Sequence, residues 1–274
     1  MTALDRVAVV SDVHGNLTAY QAVLADIDAR GITRIVNLGD VVGKGPRGAE
    51  CVRLTREREI ATVQGNWEAF LSTGADGPAA WWWDQLDPDQ RIWVAALPFH
   101  HDLVLSGRRV RMLHASPQGV FSRVSYLHSQ EDYERMFLNT EHTGNGPEPS
   151  CVLYGDIHGT YLQGDDNQTL VNVGSVGNPL DATTASYVVV EGVADSLDPA
   201  PFGIQFVRVP FDTEAEIAVA FASGMPEAQE YAIELRTGLY RGHQQGAHFL
   251  RCGRPRRLSG DVVRPGHHNP DMSE

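Results

Sequence analysis

The stretch that decides the fold is VAVVSDVHGN, residues 7–16. Residues 7–10 are a continuous apolar run, which is typical of a strand that is covered on both faces. The polar segment 11–16 follows, and apolar residues then recur with a helical period over residues 17–29, up to Gly31. The sequence therefore predicts a strand, a polar loop and a helix in this order.

The strand and helix pattern continues up to residue 63. Strands are predicted over residues 34–38 and 60–63, with a helix over residues 48–58 between them. Two successive βαβ units indicate a parallel sheet with right-handed crossovers. In such a sheet, functional groups gather at the carboxyl ends of the strands. The polar clusters at these ends contain Asp12, His14, Asp40 and Asn66.

The rest of the chain changes character after a tryptophan-rich segment. Residues 67–98 are predicted to be helical, with tryptophans that pack in the core or form a lid over the site. The second half is then expected to be a largely antiparallel sheet, followed by helices over residues 214–222 and 227–239. We expect a main domain over residues 1–212 and a helical extension with a mobile tail over residues 213–274. The strands are predicted over residues 102–106, 109–113, 152–154, 170–173, 187–190 and 205–209.

The composition excludes several classes of protein. The chain has 274 residues, of which 42% are hydrophobic, so it is long enough to bury a substantial core. No apolar run approaches the roughly 20 residues that span a bilayer, and the N-terminal residues lack a signal-peptide pattern. A cytoplasmic protein without a membrane partner is therefore expected. A net charge of −13 disfavours a role as a nucleic-acid scaffold, so a site that attracts phosphate must carry its own cations.

Further metal-ligand types stand at strand ends in the second half. His114 follows one predicted strand, and Asp156 and His158 follow the next. One intervening residue separates Asp156 from His158, as it separates the earlier Asp–His pair, and in an extended segment this spacing turns both side chains to one side. Taken singly, such residues are more often turn or cap residues. Seven oxygen and nitrogen donors together favour a metal site.

The order of these motifs resembles the calcineurin-like metallophosphoesterases, and more narrowly the bacterial small phosphodiesterase group. The resemblance covers residues 7–192. It implies an α/β fold, a four-layer α/β/β/α sandwich of two mixed sheets. The motifs are SDVHGN (11–16), LGDVVG (38–43), GN (65–66), LH (113–114), YGDIH (154–158) and NVGSVGNP (172–179).

The resemblance also implies a centre of two divalent metal ions between the sheets. Manganese or iron is expected, with magnesium, zinc or nickel as alternatives. Two such ions about 3.5–4 Å apart lower the pKa of a bridging water and clamp two phosphate oxygens. By position, the resemblance assigns Asp12, His14 and His158 to the first metal, Asp40 to the bridge, and Asn66 and His114 to the second metal.

Two positions depart from the family pattern. Asp156 stands where histidine is common. If Asp156 binds a metal, a third carboxylate reduces the positive charge of the site, so it attracts a phosphomonoester dianion less strongly and favours harder metals. In the alternative, Asp156 orients His158 or His114 without touching a metal. Trp67 stands where many members of the family it resembles have a histidine, which stabilises the transition state or protonates the leaving oxygen. The resemblance therefore implies a preference for good leaving groups or a substitute acid.

The predicted function is metal-dependent hydrolysis of phosphodiesters or phosphomonoesters. A hydroxide that bridges two divalent metals is expected to attack directly, with Asp40, Asn66 and His114 as the catalytic residues. Lys44 and, more weakly, Arg47 are candidates to contact the phosphate of a small phosphate-ester substrate. A protein or nucleotide phosphatase of the same fold is one alternative, and a non-catalytic binding scaffold is another. The chain could also form a homo-oligomer.

Overall fold

Residues 4–241 are described by the structure, a computed structural model built on two five-stranded sheets. The first sheet has the strand order β10-β9-β1-β2-β3, with β1 parallel to β2, β2 parallel to β3, and β9 antiparallel to both β1 and β10. The predicted parallel core of the first half is confirmed. The bounds are β1 (Asp5–Val10), β2 (Arg34–Asn37), β3 (Ala61–Thr62), β9 (Ala185–Gly192) and β10 (Gly203–Val209).

The second sheet has the order β4-β5-β6-β8-β7. β4 and β7 are antiparallel to their neighbours, whereas the pairs β5–β6 and β6–β8 are parallel. The prediction of a largely antiparallel sheet is wrong here, because a long connection returns the chain to the start of β6 and the unpredicted edge strand β7 lies between β6 and β8 in sequence. The bounds are β4 (His100–Leu105), β5 (Arg108–Leu113), β6 (Cys151–Tyr154), β7 (Thr160–Asp165) and β8 (Gln168–Val173).

Three apolar clusters separate four layers. Val7 and Val9 face the second sheet and pack with residues such as Leu153, while the alternate residues Ala8 and Val10 face the helices on the other side. The outer face of the second sheet packs against the residues around α6. The four-layer α/β/β/α sandwich is therefore confirmed. The helices are α1 (Leu17–Ala29), α2 (Gly48–Glu57), α3 (Asn66–Ser72), α4 (Ala80–Asp84), α5 (Pro88–Ala95), α6 (Gln130–Arg135), α7 (Thr213–Ala222) and α8 (Ala228–Thr237).

The tryptophan-rich segment is helical, as predicted, and forms three short α-helices, α3 to α5, with a 3₁₀ helix (Gly77–Ala79) before α4. Trp82 is buried, and its indole N–H donates to the carbonyl of Gly45 over 3.0 Å. The other four tryptophans are partly buried against the same core cluster. Core packing, one of the two expectations for this segment, is what the structure shows for these rings.

The C-terminal helices α7 and α8 pack on each other, and α7 contacts α1. Ile217 and Tyr231 belong to the core cluster shared with the first sheet. The prediction of a mobile tail falls on residues 242–274, which lie outside the described residues, and the boundary at residue 212 stays a prediction. In residues 4–241 no helix combines the length and apolar character that crossing a bilayer requires.

Candidate metal centre

The candidate site lies where strands of both sheets end. β1, β2 and β3 are parallel, so their carboxyl ends share one edge, and β5 and β6 end together in the second sheet. The loops are joined across the sheets, because the backbone N–H of Asp156 donates to Asp12 Oδ2 over 3.1 Å. Parallel pairing and these loop contacts bring together Asp12, His14, Asp40, Asn66, His114, Asp156 and His158.

The backbone of these loops is often left-handed. Positive φ is uncommon in residues other than glycine, and such conformations cost of order 1–3 kcal/mol each. Six of the twelve non-glycine residues with positive φ in the described part of the chain lie here, at φ between 48° and 66°. Strain of this kind is concentrated at functional sites. The six are Asp12, His14, Asp40, Lys44, Asp156 and His158.

Two overlapping clusters of ligand atoms form at this edge. The first cluster is Asp12, His14 and His158, and the second is Asp12, Asp40 and His114. In each cluster the ligand atoms all lie within 4.8 Å of one another, and every member is buried. Asp40 stands between the clusters, with Oδ2 at 3.5 Å from His14 Nε2 and Oδ1 at 3.6 Å from His114 Nε2.

Each histidine of the clusters is oriented by a backbone carbonyl. The Nδ1 atom of His14 lies 3.3 Å from the carbonyl oxygen of Val42, and that of His114 lies 2.9 Å from the carbonyl oxygen of Leu38. His158 Nδ1 makes the same contact with Asn178. A proton on Nδ1 satisfies all three contacts and leaves the Nε2 lone pair directed at the cluster, which is how metal-binding histidines are usually held.

Burial and the interactions between neighbouring charges set the electrostatics of the site. Burial raises the pKa of Asp40 well above its usual range, and the neighbouring carboxylates of Glu68 and Asp12 add to this effect. Burial opposes the charged form of His114, but the surrounding carboxylates outweigh it and raise the pKa of His114 to about 9. Asp12 Oδ1 and His114 Nε2 have no hydrogen-bond partner among the described residues. A divalent cation would satisfy both atoms.

Glu68 supports the site in a way that the sequence did not reveal. Its position in the first turn of α3 indicates only a charge that is favourable to the helix dipole. In the structure its carboxylate is fully buried and accepts four backbone N–H groups at 2.7–3.2 Å. Glu68 therefore connects the two loops that carry Asp40 and Asn66. The four donors are the backbone nitrogens of Asp40, Val41, Val42 and Gly65.

Asn66 and Asp156 lie beside the second cluster. The Asn66 amide donates to Asp156 Oδ1 over 2.8 Å, and the same oxygen lies 3.9 Å from His114 Nε2. Arg123 donates two hydrogen bonds to Asp156, from Nε to Oδ2 at 2.8 Å and from Nη2 to Oδ1 at 2.7 Å. Sequence reasoning missed Arg123, which lies in a loop without a motif.

Lys44 and Arg47, the two candidates to contact a substrate phosphate, have different surroundings. Lys44 Nζ lies 3.2 Å from His158 Nε2 and 3.5 Å from Asn178 Oδ1, at the first cluster. Arg47 instead donates to Thr18 Oγ1 at 2.6 Å and to the buried carboxylate of Glu216. The structure brings Lys44 to the site, whereas the guanidinium group of Arg47 pairs with Glu216 on α7.

Trp67 forms a wall of the site. Its backbone N–H donates to Asp40 Oδ1 over 2.8 Å, and its ring lies edge-on to His14 with the ring centres 6.1 Å apart. The indole packs so closely on Gly43 that a Cβ atom there would lie 2.2 Å from Trp67 Cε3. Trp67, at the position where the resemblance in the motifs leads one to expect histidine, therefore supplies an apolar surface next to the first cluster.

The fold is thus a two-sheet sandwich with aspartate and histidine clusters at its strand ends. The model of the calcineurin-like phosphoesterase superfamily domain matches residues 6–195. A similar protein, described as uncharacterized, from Methanocaldococcus jannaschii is 30% identical over 240 residues, which is 81% of this chain and 94% of that protein. The chain belongs to the calcineurin-like phosphoesterase superfamily, and the resemblance seen in its motifs is confirmed.

Solved structures share the fold. A metallophosphoesterase from Sphaerobacter thermophilus aligns with a TM-score of 0.66 at 23% identity, covering 86% of this chain and 99% of that one. A hypothetical protein from Pyrococcus horikoshii aligns with a TM-score of 0.67 at 18% identity, covering 84% of this chain and 97% of that one. At these identities the likeness establishes the common architecture.

Proposed function

We propose that the protein is a hydrolase of small phosphate esters that works with two divalent cations. The observation that carries the proposal is the orientation of three buried histidines, whose Nδ1 atoms face backbone carbonyls while their Nε2 atoms face Asp12 and Asp40. Superfamily membership supports hydrolysis of phosphate esters.

The donor set fits divalent cations. Imidazole nitrogens combined with carboxylate oxygens suit manganese, iron and zinc, and the proposed metals are manganese or iron. Asp12, His14 and His158 would hold one cation, and His114 with Asn66 would hold the other. Asn66 donates its amide N–H to Asp156, so its carbonyl oxygen remains as an acceptor. Asp40 would contact both cations, because its two oxygens face a histidine of each cluster.

When bound, the two cations supply an acidified water and positive charge for the phosphate oxygens. The residues of the chain then hold the cations and orient the phosphate group of the substrate. Asp40 and Asp12 fix the spacing of the two clusters, and Lys44 places an ammonium group at the first cluster, where a phosphate oxygen can accept from it. Trp67 excludes water from one side of the site, which strengthens the electrostatic contacts within it.

Metal removal tests this proposal. Protein stripped with a chelator is expected to lose hydrolysis of p-nitrophenyl phosphate and bis(p-nitrophenyl) phosphate, and to regain it when Mn²⁺ is added, because the cations would supply the acidified water. Initial rates together with elemental analysis of the bound metal measure this. If neither substrate is hydrolysed and the protein binds no metal, a binding scaffold would be favoured and the proposal would be contradicted.

The pair Lys44 and Arg47 gives a second test. Lys44→Gln is expected to raise KM about tenfold, because one charge-assisted hydrogen bond to phosphate is lost. Arg47→Gln is expected to leave KM unchanged and to lower the free energy of unfolding by up to about 3 kcal/mol, because the buried carboxylate of Glu216 loses its charged partner and keeps only its contacts with Thr18. Steady-state kinetics and urea unfolding measure the two effects. An increase of KM in Arg47→Gln would contradict the assignment.

A further inference from the structure

Arg123 combines a fixed contact with an exposed surface. The carboxylate of Asp156 is almost completely buried, with 1% of the side chain exposed, whereas 60% of the Arg123 side chain is exposed. A guanidinium group has five N–H donors, and Asp156 accepts from two of its three nitrogens. No other hydrogen bond joins this guanidinium group to a residue within the described range 4–241. Arg123 is therefore fixed by Asp156 at Nε and Nη2, while most of its side chain is exposed.

The contact with Asp156 places Arg123 next to the second cluster. The oxygen that accepts from Arg123 Nη2 also accepts from Asn66 and lies 3.9 Å from His114 Nε2. The hydrogen bond to Asp156 raises the pKa of Arg123, and the charges of Asp156 and Asp12 add to this effect. Arg123 thus belongs to the electrostatic environment of the site, although its sequence position is remote from every motif.

The loop that carries Arg123 is fixed to the second sheet. The next residue, Val124, is buried, and its carbonyl accepts from the hydroxyl of Tyr154 at the end of β6 over 2.8 Å. The Arg123 backbone N–H donates to the carbonyl of Phe121 over 3.2 Å. With both backbone and side chain held, little conformational entropy is lost when the guanidinium binds an anion.

Arg123 also changes the net charge that is expected around Asp156. A third carboxylate beside two cations would weaken the attraction for a doubly charged phosphate. The ion pair with Arg123 offsets part of the charge of Asp156, so this weakening is smaller than the carboxylate alone would cause. Lys44 at the first cluster and Arg123 beside the second then place positive groups at two different parts of the site.

We propose that Arg123 is a substrate-binding residue that selects phosphomonoesters over phosphodiesters, a proposal that rests on the proposed function. Two cations clamp two non-bridging phosphate oxygens. A diester has only these two, whereas a monoester has a third, which carries additional negative charge. The guanidinium therefore finds a charged acceptor only in the monoester, and its fork geometry suits phosphate oxygens.

Arg123→Gln and Arg123→Lys test this selection on the full chain loaded with Mn²⁺. For p-nitrophenyl phosphate, KM in Arg123→Gln is expected to rise about 10- to 100-fold, as for loss of a hydrogen bond to a charged group. For bis(p-nitrophenyl) phosphate, KM stays within about threefold. Arg123→Lys recovers part of the loss, because it keeps the charge without the fork. The affinity for inorganic phosphate, measured by calorimetry, is expected to change in the two variants in the same way as the affinity for the monoester.

Arg53→Gln is the matched control, since Arg53 is also 60% exposed and pairs with a carboxylate, that of Glu57 on α2. It should change neither KM nor phosphate affinity. Equal changes for monoester and diester, unchanged phosphate affinity in Arg123→Gln, or loss of bound Mn²⁺ from that variant would each overturn the proposal. If the wild-type protein binds Mn²⁺ but hydrolyses neither substrate, the proposed function fails, and phosphate calorimetry still decides whether Arg123 binds the anion.

Discussion

Asp40→Asn is expected to lower kcat/KM of the Mn²⁺-loaded protein by roughly 10³-fold or more, beyond the 10- to 100-fold typical for groups that act through a ligand. Asn Oδ1 can still accept the backbone N–H of Trp67, which donates to Asp40 Oδ1 over 2.8 Å. The amide nitrogen then replaces Oδ2, the atom 3.5 Å from His14 Nε2. One ligand atom and one negative charge are lost where the two clusters meet.

The substitution is suited to separate chemistry from folding. Asp40 has a φ of 55°, and asparagine tolerates this left-handed conformation well. Thermal unfolding of the metal-free variant should therefore stay close to that of the wild type. Asp26→Asn serves as the control, since Asp26 is a carboxylate of α1 that contacts Arg30 and Tyr187. An Asp40→Asn variant with two bound metals and the wild-type rate would contradict the role of Asp40 between the clusters.

Much of the fold could be predicted from the sequence because the central strands and their polar ends are local patterns. α1 was predicted with the bounds that the structure shows, and the strand ends located the loops of the site. The edge strand β7 was missed because its residues are exposed or only partly buried and lack an apolar period. Without β7, the sequence could not show that β8 returns to lie parallel to β6.

The supporting residues of the site could not be predicted for a different reason. Asp12, His14 and Asp40 stand at strand ends, where their spacing is informative. Glu68 and Arg123 act through contacts with residues 26–28 or 33 positions away, and such contacts leave no local pattern. Arg47 shows the converse, because it follows Lys44 closely in sequence and yet its side chain contacts Glu216, 169 positions away.

Glu68→Ala is expected to lower the free energy of unfolding by about 3–5 kcal/mol, because four buried backbone N–H groups lose their acceptor and each unsatisfied group costs about 1–3 kcal/mol in non-additive fashion. Manganese affinity should fall about 10- to 100-fold, since the loops holding Asp40 and Asn66 lose their connection. Urea unfolding and a Mn²⁺ titration measure the two quantities.

Glu68→Gln and Glu50→Gln decide which role Glu68 has. Each oxygen of Glu68 accepts from two N–H groups, so glutamine turns an NH₂ group towards two donors and should destabilise the protein nearly as much as alanine. Glu50 is the acidic residue in the first turn of α2, where its charge acts on the helix dipole, an effect of about 0.3–1 kcal/mol. If Glu68→Gln cost no more than Glu50→Gln, the dipole would account for both, and the buried carboxylate would not be what holds the two loops together.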